Sequence, residues 1–332
     1  MNTKKTLALI LSAVLGASAL AGCSGSEKSS TGEKTYKVGV TQISDHPSLD
    51  NCRNGFIEGL KEEGYIEGQN LDIDFQSAQD VPANASQIAQ NFASTGKDLV
   101  CGIATPSAQA LYTACYEKNI PVIFNAVSDP VAAKLAVSET EAMDGITGIS
   151  DALPVEDQLK LIRAVLPEAK KIGILYTTSE ANSVSTLETY KKLAPQYGFE
   201  IVESGVGQKS EIPQAADILL SKVDCVSNMT DNAVVASLSV LLEKANAAKI
   251  PVFGSEEEQV KNGCLASAGL DYFNLGIQAG KMAARVLGGE KVSDIPYETF
   301  KESKLTVNSG VAAELGITLP EEVVSKADDV HE

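Results

Sequence analysis

The chain repeats one pattern of strand-like and helix-like segments, and this repeat constrains the fold more than any other feature. A β-rich run at 36–43 is followed by residues 47–63, whose apolar side chains are spaced three and four apart. The pattern restarts at 170–178. The number of residues between the starts of the two runs is the same as the number between Gly64 and Gly198. Strands that alternate with helices build parallel sheets covered by helices. The sequence therefore predicts an α/β protein made of two Rossmann-like lobes with parallel sheets.

The turns after the two opening strands lack the motifs of cofactor-dependent enzymes. They read TQISDHP in the first half and YTTSEANS in the second, without GxGxxG or GxxxxGK[ST]. The chain also contains no GxSxG motif, which marks the nucleophile of many hydrolases. We therefore expect no cofactor and no catalysis, and an enzyme of another type on this fold is the alternative.

The N-terminal segment has the features of an export and anchoring signal. Two lysines precede an uncharged stretch at 6–21, which is shorter than the roughly 20 apolar residues of a membrane-spanning helix. The stretch leads into Leu-Ala-Gly-Cys, which resembles the lipobox of bacterial lipoproteins, and a Ser- and Gly-rich segment follows. We predict a signal peptide at 1–22, lipidation of Cys23, a tether at 23–35 and attachment to the extracytoplasmic face of the membrane. An ordinary cleaved signal with an accidental cysteine is the alternative.

Charge and cysteine content exclude several classes of partner. The net charge of −17 argues against nucleic acid and anionic lipid headgroups as partners. Two histidines are too few for a histidine-rich metal site, and we expect no metal. The cysteines beyond Cys23 match no CxxC or zinc pattern, so we predict that they are buried free thiols. They are Cys52, Cys101, Cys115, Cys225 and Cys264.

Several motifs together resemble one family of transport proteins. They are VGVTQISDHPSLD, GIATPSAQAL, FNAVSDP, GITGISD, ILYTTSEANS, VDCVSNMTDNAV and GLDYFNLGIQAGKMAARVLGGE. With the lipobox and the duplicated lobes, they are similar to the tryptophan/tyrosine-type substrate-binding lipoproteins of ABC importers. The resemblance implies a type I periplasmic-binding-protein fold, an aromatic amino acid held between the lobes, and permease and ATPase subunits as partners. It also implies a monomer.

The resemblance further implies that three hinge crossovers join the lobes. It assigns 36–149 and 272–293 to the N-lobe. It assigns 150–271 and 294–332 to the C-lobe.

The segment Thr105-Pro106-Ser107 is the predicted seat for a ligand carboxylate. It follows a buried strand, and ligands of open α/β sheets bind beyond the carboxyl ends of the strands. The first turn of a helix offers unpaired N–H groups to an anion. We interpret Thr105 as the N-cap and Pro106 as the first helical residue. The alternative is that Thr105 only caps its own helix.

Three aspartates are candidates for binding the ligand ammonium group. Asp231 begins a helix at a strand end and is the first candidate. Asp271 lies at the last crossing between the lobes, and Asp151 lies at the first. Each aspartate has capping of a helix or turn as its alternative role.

The remaining candidates lie at other turns that follow strands. Tyr176 and Phe124 could stack on an aromatic ligand, although each is more often plain core. Ser128-Asp129-Pro130 is interpreted as turn chemistry first and ligand contact second. The other predicted contacts are Gln42, Ser44, Asn125, Ser150, Ser179, Asn182, Ser183, Thr230 and Asn232, and His46 lies in the same first turn as Gln42 and Ser44.

Two further hypotheses stay open from the sequence alone. The same fold binds branched-chain amino acids, nucleosides or sugars in other proteins. The absence of Trp and the presence of three arginines (Arg53, Arg163 and Arg285) count against a sugar site. A lipoprotein that reports a ligand to a signalling partner is the second alternative.

Overall fold

A computed structural model describes residues 34–332, and within it Thr35–Glu332 form one compact unit. The predicted signal peptide, Cys23 and all but the last two tether residues lie outside the described residues. None of the described helices has both the length and the apolar character needed to cross a membrane.

Thirteen strands and twelve α-helices alternate along the described part of the chain. The strands are β1 (Tyr36–Gln42), β2 (Leu71–Ser77), β3 (Leu99–Ile103), β4 (Val122–Asn125), β5 (Ile146–Ser150), β6 (Lys171–Thr177), β7 (Glu200–Val206), β8 (Cys225–Ser227), β9 (Val252–Phe253), β10 (Ala266–Leu270), β11 (Glu298–Thr299), β12 (Ser303–Asn308) and β13 (Asp329–His331). The helices are α1 (Pro47–Glu62), α2 (Pro82–Ser94), α3 (Thr105–Cys115), α4 (Val155–Val165), α5 (Ala181–Leu193), α6 (Ile212–Leu220), α7 (Asn232–Val235), α8 (Leu238–Ala248), α9 (Glu257–Lys261), α10 (Tyr272–Leu287), α11 (Ser309–Leu315) and α12 (Glu321–Val324).

The strands form two sheets, one in each lobe. The first has the order β11-β5-β4-β3-β1-β2, and every pair in it is parallel. The second has the order β13-β12-β10-β9-β8-β6-β7. Its neighbouring strands are parallel except for β10 and β12, which pair antiparallel. Central parallel strands are covered on both faces, which explains the continuous apolar runs in the sequence. The predicted α/β fold with two parallel sheets is confirmed.

Helix α10 returns to the first lobe and packs closely against α1. A Cβ atom added at Gly55 would lie 2.0 Å from the carbonyl oxygen of Phe273, and one at Gly276 would lie 2.3 Å from that of Cys52. Glycine therefore lets the two backbones approach within a distance that other residues would prevent. This contact holds α10 against α1.

Three connections run between the sheets, after β5, after β10 and after β11. The last lies later than the predicted boundary at 293/294. Glu298 pairs with Ile149, and the N–H of Phe300 donates to the carbonyl oxygen of Ser150 at 2.9 Å. The chain therefore first adds an edge strand to the first sheet and crosses only after Phe300.

The five cysteines of the described chain are free and buried. Cys101 and Cys225 lie in β3 and β8, while Cys52 and Cys115 lie on buried faces of α1 and α3. Burial raises the pKa of each of these thiols above its ordinary value. They are therefore unreactive packing residues at neutral pH, as the sequence predicted.

Candidate functional site

A pocket lies between the lobes, where the carboxyl ends of the parallel strands of both sheets meet. Turns after β1, β3, β4 and β5 line it from the first sheet, and turns after β6, β8 and β9 line it from the second. This is the position expected for a ligand site in open α/β sheets. The lining residues are His46, Ser48, Leu49, Ala104, Thr105, Ala126, Ser128, Asp151, Asn182, Thr230, Asn232, Val235, Glu256, Gln259 and Tyr272.

The beginning of α3 presents unpaired hydroxyl groups. The sequence had suggested Thr105 as the N-cap of this helix. In the structure the N-cap is Ala104, and Thr105 is the first residue of the helix. Ala104 has φ 71° and ψ 157°, a strained conformation for a residue with a side chain. The hydroxyl oxygens of Thr105 and Ser107 are buried and have no hydrogen-bond partner in the described chain. Because Thr105 does not cap the helix, its hydroxyl is left for another partner.

Asp151 is the buried acid at the first connection between the lobes. Its carboxylate accepts hydrogen bonds from the Tyr272 hydroxyl at 2.7 Å and the Ser128 hydroxyl at 2.9 Å. Burial raises its pKa in spite of these bonds, which favour the charged form. The Ser128 hydroxyl also lies 3.4 Å from that of Thr230 in the other lobe. Asp151 therefore stands at the centre of a polar network that reaches both sides of the pocket.

Glu256 is a second buried acid in the pocket wall. It caps α9 by accepting from the N–H groups of Glu258 at 2.7 Å and Gln259 at 2.9 Å. The Ser48 hydroxyl of the first lobe donates to it at 2.9 Å. Burial raises its pKa to about 7. Glu256 therefore joins the lobes and stays partly protonated near neutral pH.

Glu180 lies behind Asn182 and Asn232 and orients both amides. It accepts from the side-chain nitrogen of Asn232 at 2.6 Å and from that of Asn182 at 3.2 Å. Burial raises its pKa, and the negative charge of Asp231 raises it further. The Asn182 nitrogen also donates to the Thr230 carbonyl at 3.1 Å, which leaves the Asn182 Oδ1 atom buried and without a partner. Asn182 thus offers a hydrogen-bond acceptor to the pocket.

Asp231 and Asp271 are engaged as helix caps. Asp231 is fully buried and accepts from the hydroxyls of Thr177 at 2.9 Å and Ser183 at 2.7 Å, and from the Val234 N–H at 3.0 Å. Asp271 accepts from two N–H groups of the first turn of α10. Neither residue lines the pocket, because the backbone turns both carboxylates toward their own helices. The capping role that the sequence left open is the one observed for both.

Several other predicted residues lie next to the pocket and not in its lining. Ser44 is buried with an unpaired hydroxyl, and Asn125 donates to the Cys52 carbonyl at 3.2 Å. Gln42 bonds to Asp50 at 3.0 Å, and Ser150 donates to the Ser128 carbonyl at 3.2 Å.

Tyr176 and Phe124 both pack away from the pocket lining. The Tyr176 ring lies over Gly205 of the edge strand β7. Phe124 is fully buried in the first lobe, with its ring centre 6.1 Å from that of Tyr297.

Asn182 and Ser183 lie inside the first turn of α5, whose N-cap is Glu180.

A wider groove opens beside the pocket, and Asn232 lines both. Pro106, Ser179 and Glu180 lie along this groove. The Lys209 ammonium and the Asp80 carboxylate, one from each lobe, form an ion pair across it at 2.8 Å. Together with the Ser48–Glu256 bond, this ion pair shows that the lobes are closed on each other.

The pocket is acidic and lacks compensating cations. Its lining contains Asp151 and Glu256, with Glu180 directly behind, and no lysine or arginine from the described residues. Buried carboxylates without a cationic partner favour the binding of a positively charged group. The unpaired hydroxyls at the first turn of α3 favour an anion. The site therefore suits a small ligand that carries both charges.

The fold and the pocket define a two-lobed solute-binding protein, and the chain belongs to the ABC transporter substrate binding protein family, which matches residues 37–331. The family consists of the substrate-binding proteins of ABC transporters.

Three relatives bear on the ligand and the conformation. The tyrosine-binding protein of Clostridioides difficile (strain R20291) is 42% identical over 316 residues, covering 93% of this chain and 91% of its own. An ABC domain in complex with L-Trp from Streptococcus pneumonia is 36% identical with a TM-score of 0.86, covering 90% of this chain and 100% of that chain. The ligand-free, open structure of a substrate binding protein with adhesive properties from Clostridium difficile is 38% identical with a TM-score of 0.67, covering 90% and 99%.

Proposed function

We propose that this protein is the solute-binding lipoprotein of an ABC importer and that it carries an aromatic amino acid in the pocket between its lobes. The observation that carries the proposal is that the buried Asp151 network and the unpaired Thr105 hydroxyl at the beginning of α3 share one pocket lining, to which the described residues contribute no lysine or arginine. An amino acid zwitterion satisfies both. The names of the tyrosine-binding and L-Trp-bound relatives support an aromatic side chain.

Each charged end of the ligand then has its own partners. The carboxylate binds at the first turn of α3, where the hydroxyls of Thr105 and Ser107 donate to it. The ammonium group binds Asp151 and the free Oδ1 atom of Asn182. Leu49, Ala126 and Val235 line the pocket as apolar surfaces for the side chain. Asp231 acts indirectly, because it holds Ser183 and Thr177 in place.

Transport follows from closure of the lobes around the ligand. A ligand shifts the open–closed equilibrium only by its difference in affinity for the two forms, and about 5.5 kcal/mol moves a 1:99 ratio to 99:1. A zwitterion that contacts α3 in one lobe and Asn182 in the other supplies such a difference. The closed protein then delivers the ligand to its permease while lipidated Cys23 holds it at the membrane.

A ligand panel on residues 24–332, which contain the compact unit, tests the solute class. Tyrosine, tryptophan and phenylalanine are expected to raise the melting temperature, since a ligand at 100 times its Kd adds about 2.7 kcal/mol of stability. Leucine, nucleosides and myo-inositol serve as the other classes. Tyramine lacks the carboxylate and N-acetyl-tyrosine lacks the ammonium group, so both are expected to fail. Stabilisation by another class alone would replace the aromatic assignment.

Anchoring and transport need separate experiments in cells. Replacement of Cys23 by Ser is expected to abolish labelling by a fatty-acid analogue and to release the protein from the membrane fraction. Deletion of the gene is expected to reduce uptake of the labelled amino acid that the panel identifies. Normal uptake with normal ligand binding would instead favour a sensor that reports the ligand to a signalling partner.

A further inference from the structure

His46 occupies the pocket without any hydrogen-bond partner. It precedes α1 and lines the pocket between the lobes. Both imidazole nitrogens are buried, and neither has a partner in residues 34–332. A neutral imidazole has one N–H donor and one acceptor nitrogen. Buried polar atoms are rarely left unpaired, so each unpaired one requires an explanation.

The imidazole is neutral in the closed protein. Burial lowers its pKa to about 4, and Lys209 acts in the same direction. The carboxylates of Asp80, Asp50 and Asp45 oppose this effect and do not overcome it. A neutral ring pairs poorly with either charged end of a zwitterion. It is suited to a neutral group that donates or accepts a single hydrogen bond.

The position of His46 separates it from the two charged ends of the proposed site. His46, Ser48, Val235, Glu256 and Gln259 line both the pocket and an adjoining surface groove, so they form one end of the pocket. Residues Thr105, Asn182 and Asp151, which we assign to the ligand backbone, line the pocket alone. The side chain of a bound amino acid therefore extends toward His46.

We propose that His46 binds the polar atom of the ligand's aromatic side chain, the phenol of tyrosine or the indole N–H of tryptophan, and so selects against phenylalanine. This inference rests on the proposed function and names the residue that discriminates among its ligands. A site built to bond a polar group rejects the analogue that lacks it, because the buried partner is then left unpaired.

Calorimetric titration of tyrosine and phenylalanine into residues 24–332 tests the inference. The native protein is expected to prefer tyrosine by at least about tenfold. His46→Leu is expected to reduce this ratio to near one while phenylalanine binding is kept, and His46→Gln is expected to restore part of the ratio. His331→Leu, at the far end of the second sheet, is the matched control and should leave the ratio unchanged.

Nitrogen NMR of the imidazoles covers the case in which His46→Leu fails to fold. The chain has two histidines, so His331→Leu leaves a single imidazole spectrum. Tyrosine should shift a His46 nitrogen toward a hydrogen-bonded value and phenylalanine should not. Equal shifts, or an unchanged ratio in His46→Leu, would overturn the inference and leave the proposed function intact. If no aromatic amino acid binds the native protein, the proposed function fails as well.

Discussion

At the scale of single residues, the position of each carboxylate relative to the pocket separates a ligand contact from a structural cap. Asp151 and Asp271 lie at connections between the same two lobes. Asp151 is 2% exposed and bonds to side chains that line the pocket. Asp271 bonds only to the first turn of its own helix. The same side-chain type therefore lines the pocket at one crossing and caps a helix at the other.

Replacement of Asp151 by Asn tests this distinction. The variant keeps the shape and loses the charge, so tyrosine affinity is expected to fall by at least about 30-fold, as for other buried charge pairs. Tyr272→Phe removes one bond to Asp151 and should cost about tenfold. Asp271→Asn is the control: it should lower stability by about 1 kcal/mol and leave affinity unchanged. Calorimetry measures all three, and equal affinities of Asp151→Asn and the native protein would remove Asp151 from the site.

The raised pKa of Glu256 predicts a dependence of stability on pH. Its folded-state pKa of about 7 exceeds the ordinary value of 4.5, so the folded protein holds a proton that the unfolded chain has lost. The stability that the protonated Glu256 contributes to the folded state is fully present below about pH 4.5 and is lost as pH rises through 7. This shift corresponds to about 3 kcal/mol. The difference in unfolding free energy between the native protein and Glu256→Gln should decrease by about that amount from pH 4.5 to 8. A difference that is constant with pH would contradict the buried environment of Glu256.

At the scale of secondary structure elements, helix packing depends on glycine where backbones meet. Gly55→Ala would place a methyl group 2.0 Å from the carbonyl oxygen of Phe273, so α1 and α10 must separate. The expected loss of stability is about 1–3 kcal/mol or more. Gly288→Ala at the end of α10 is the matched control, because its nearest neighbours lie 3.3 Å away and its φ is −72°. Chemical denaturation measures both, and equal stabilities would show that α1 and α10 separate without cost.

The alternating pattern of elements predicted the strands and helices well, and the strand ends predicted part of the site. Thr105, Asp151, Asn182, Thr230 and Asn232 were all expected at the pocket and line it. Glu256, Ser48 and Tyr272 were missed. Glu256 lies in the turn after β9. The residues Ile-Pro-Val at 250–252, which lead into β9, repeat those at 120–122, which lead into β4, so the internal repeat could have pointed to this turn.

The remaining differences between the predicted and the observed site arise because neighbouring side chains point to opposite sides of the backbone. Asp231 and Asn232 are adjacent, yet Asn232 faces the pocket and Asp231 points behind it toward Thr177. Sequence spacing identifies a strand end and does not determine which of two neighbouring side chains turns inward. Tyr272 entered the sequence analysis only as part of a motif, and its place at the pocket depends on Asp151, more than a hundred residues away. Such contacts exist only once both crossings have formed.

At the scale of the whole molecule, the structure corresponds to the closed form of a hinged protein. Its TM-score is 0.86 against the L-Trp-bound relative and 0.67 against the open, ligand-free relative, although the two are almost equally similar in sequence. Contacts between the lobes agree with this, since Ser48 bonds to Glu256 and Lys209 pairs with Asp80. Both contacts are made in the closed form, and the Lys209–Asp80 pair lies in the groove beside the pocket, outside the pocket lining.

We therefore expect the Lys209–Asp80 ion pair to slow the release of a bound ligand. Asp80 and the preceding Gln79 have φ of 62° and 53°, a left-handed backbone that turns the carboxylate toward the opposite lobe. Lys209→Met removes the pair, and a partly exposed pair contributes about 0.2–1 kcal/mol. Tyrosine dissociation is expected to become up to about fivefold faster with little change in association, because the pair forms after the ligand has entered.

Stopped-flow measurement at low and high salt distinguishes this ion pair from general effects of charge. In the native protein, dissociation should accelerate with salt, because screening weakens the pair. In Lys209→Met this acceleration should largely disappear. Lys244→Met is the matched control, since Lys244 pairs with Asp217 at 2.8 Å within the second lobe and does not bridge the pocket. If both variants release tyrosine at the native rate, the pair across the groove has no part in closure, and other contacts between the lobes, such as the Ser48–Glu256 bond, hold them together around the ligand.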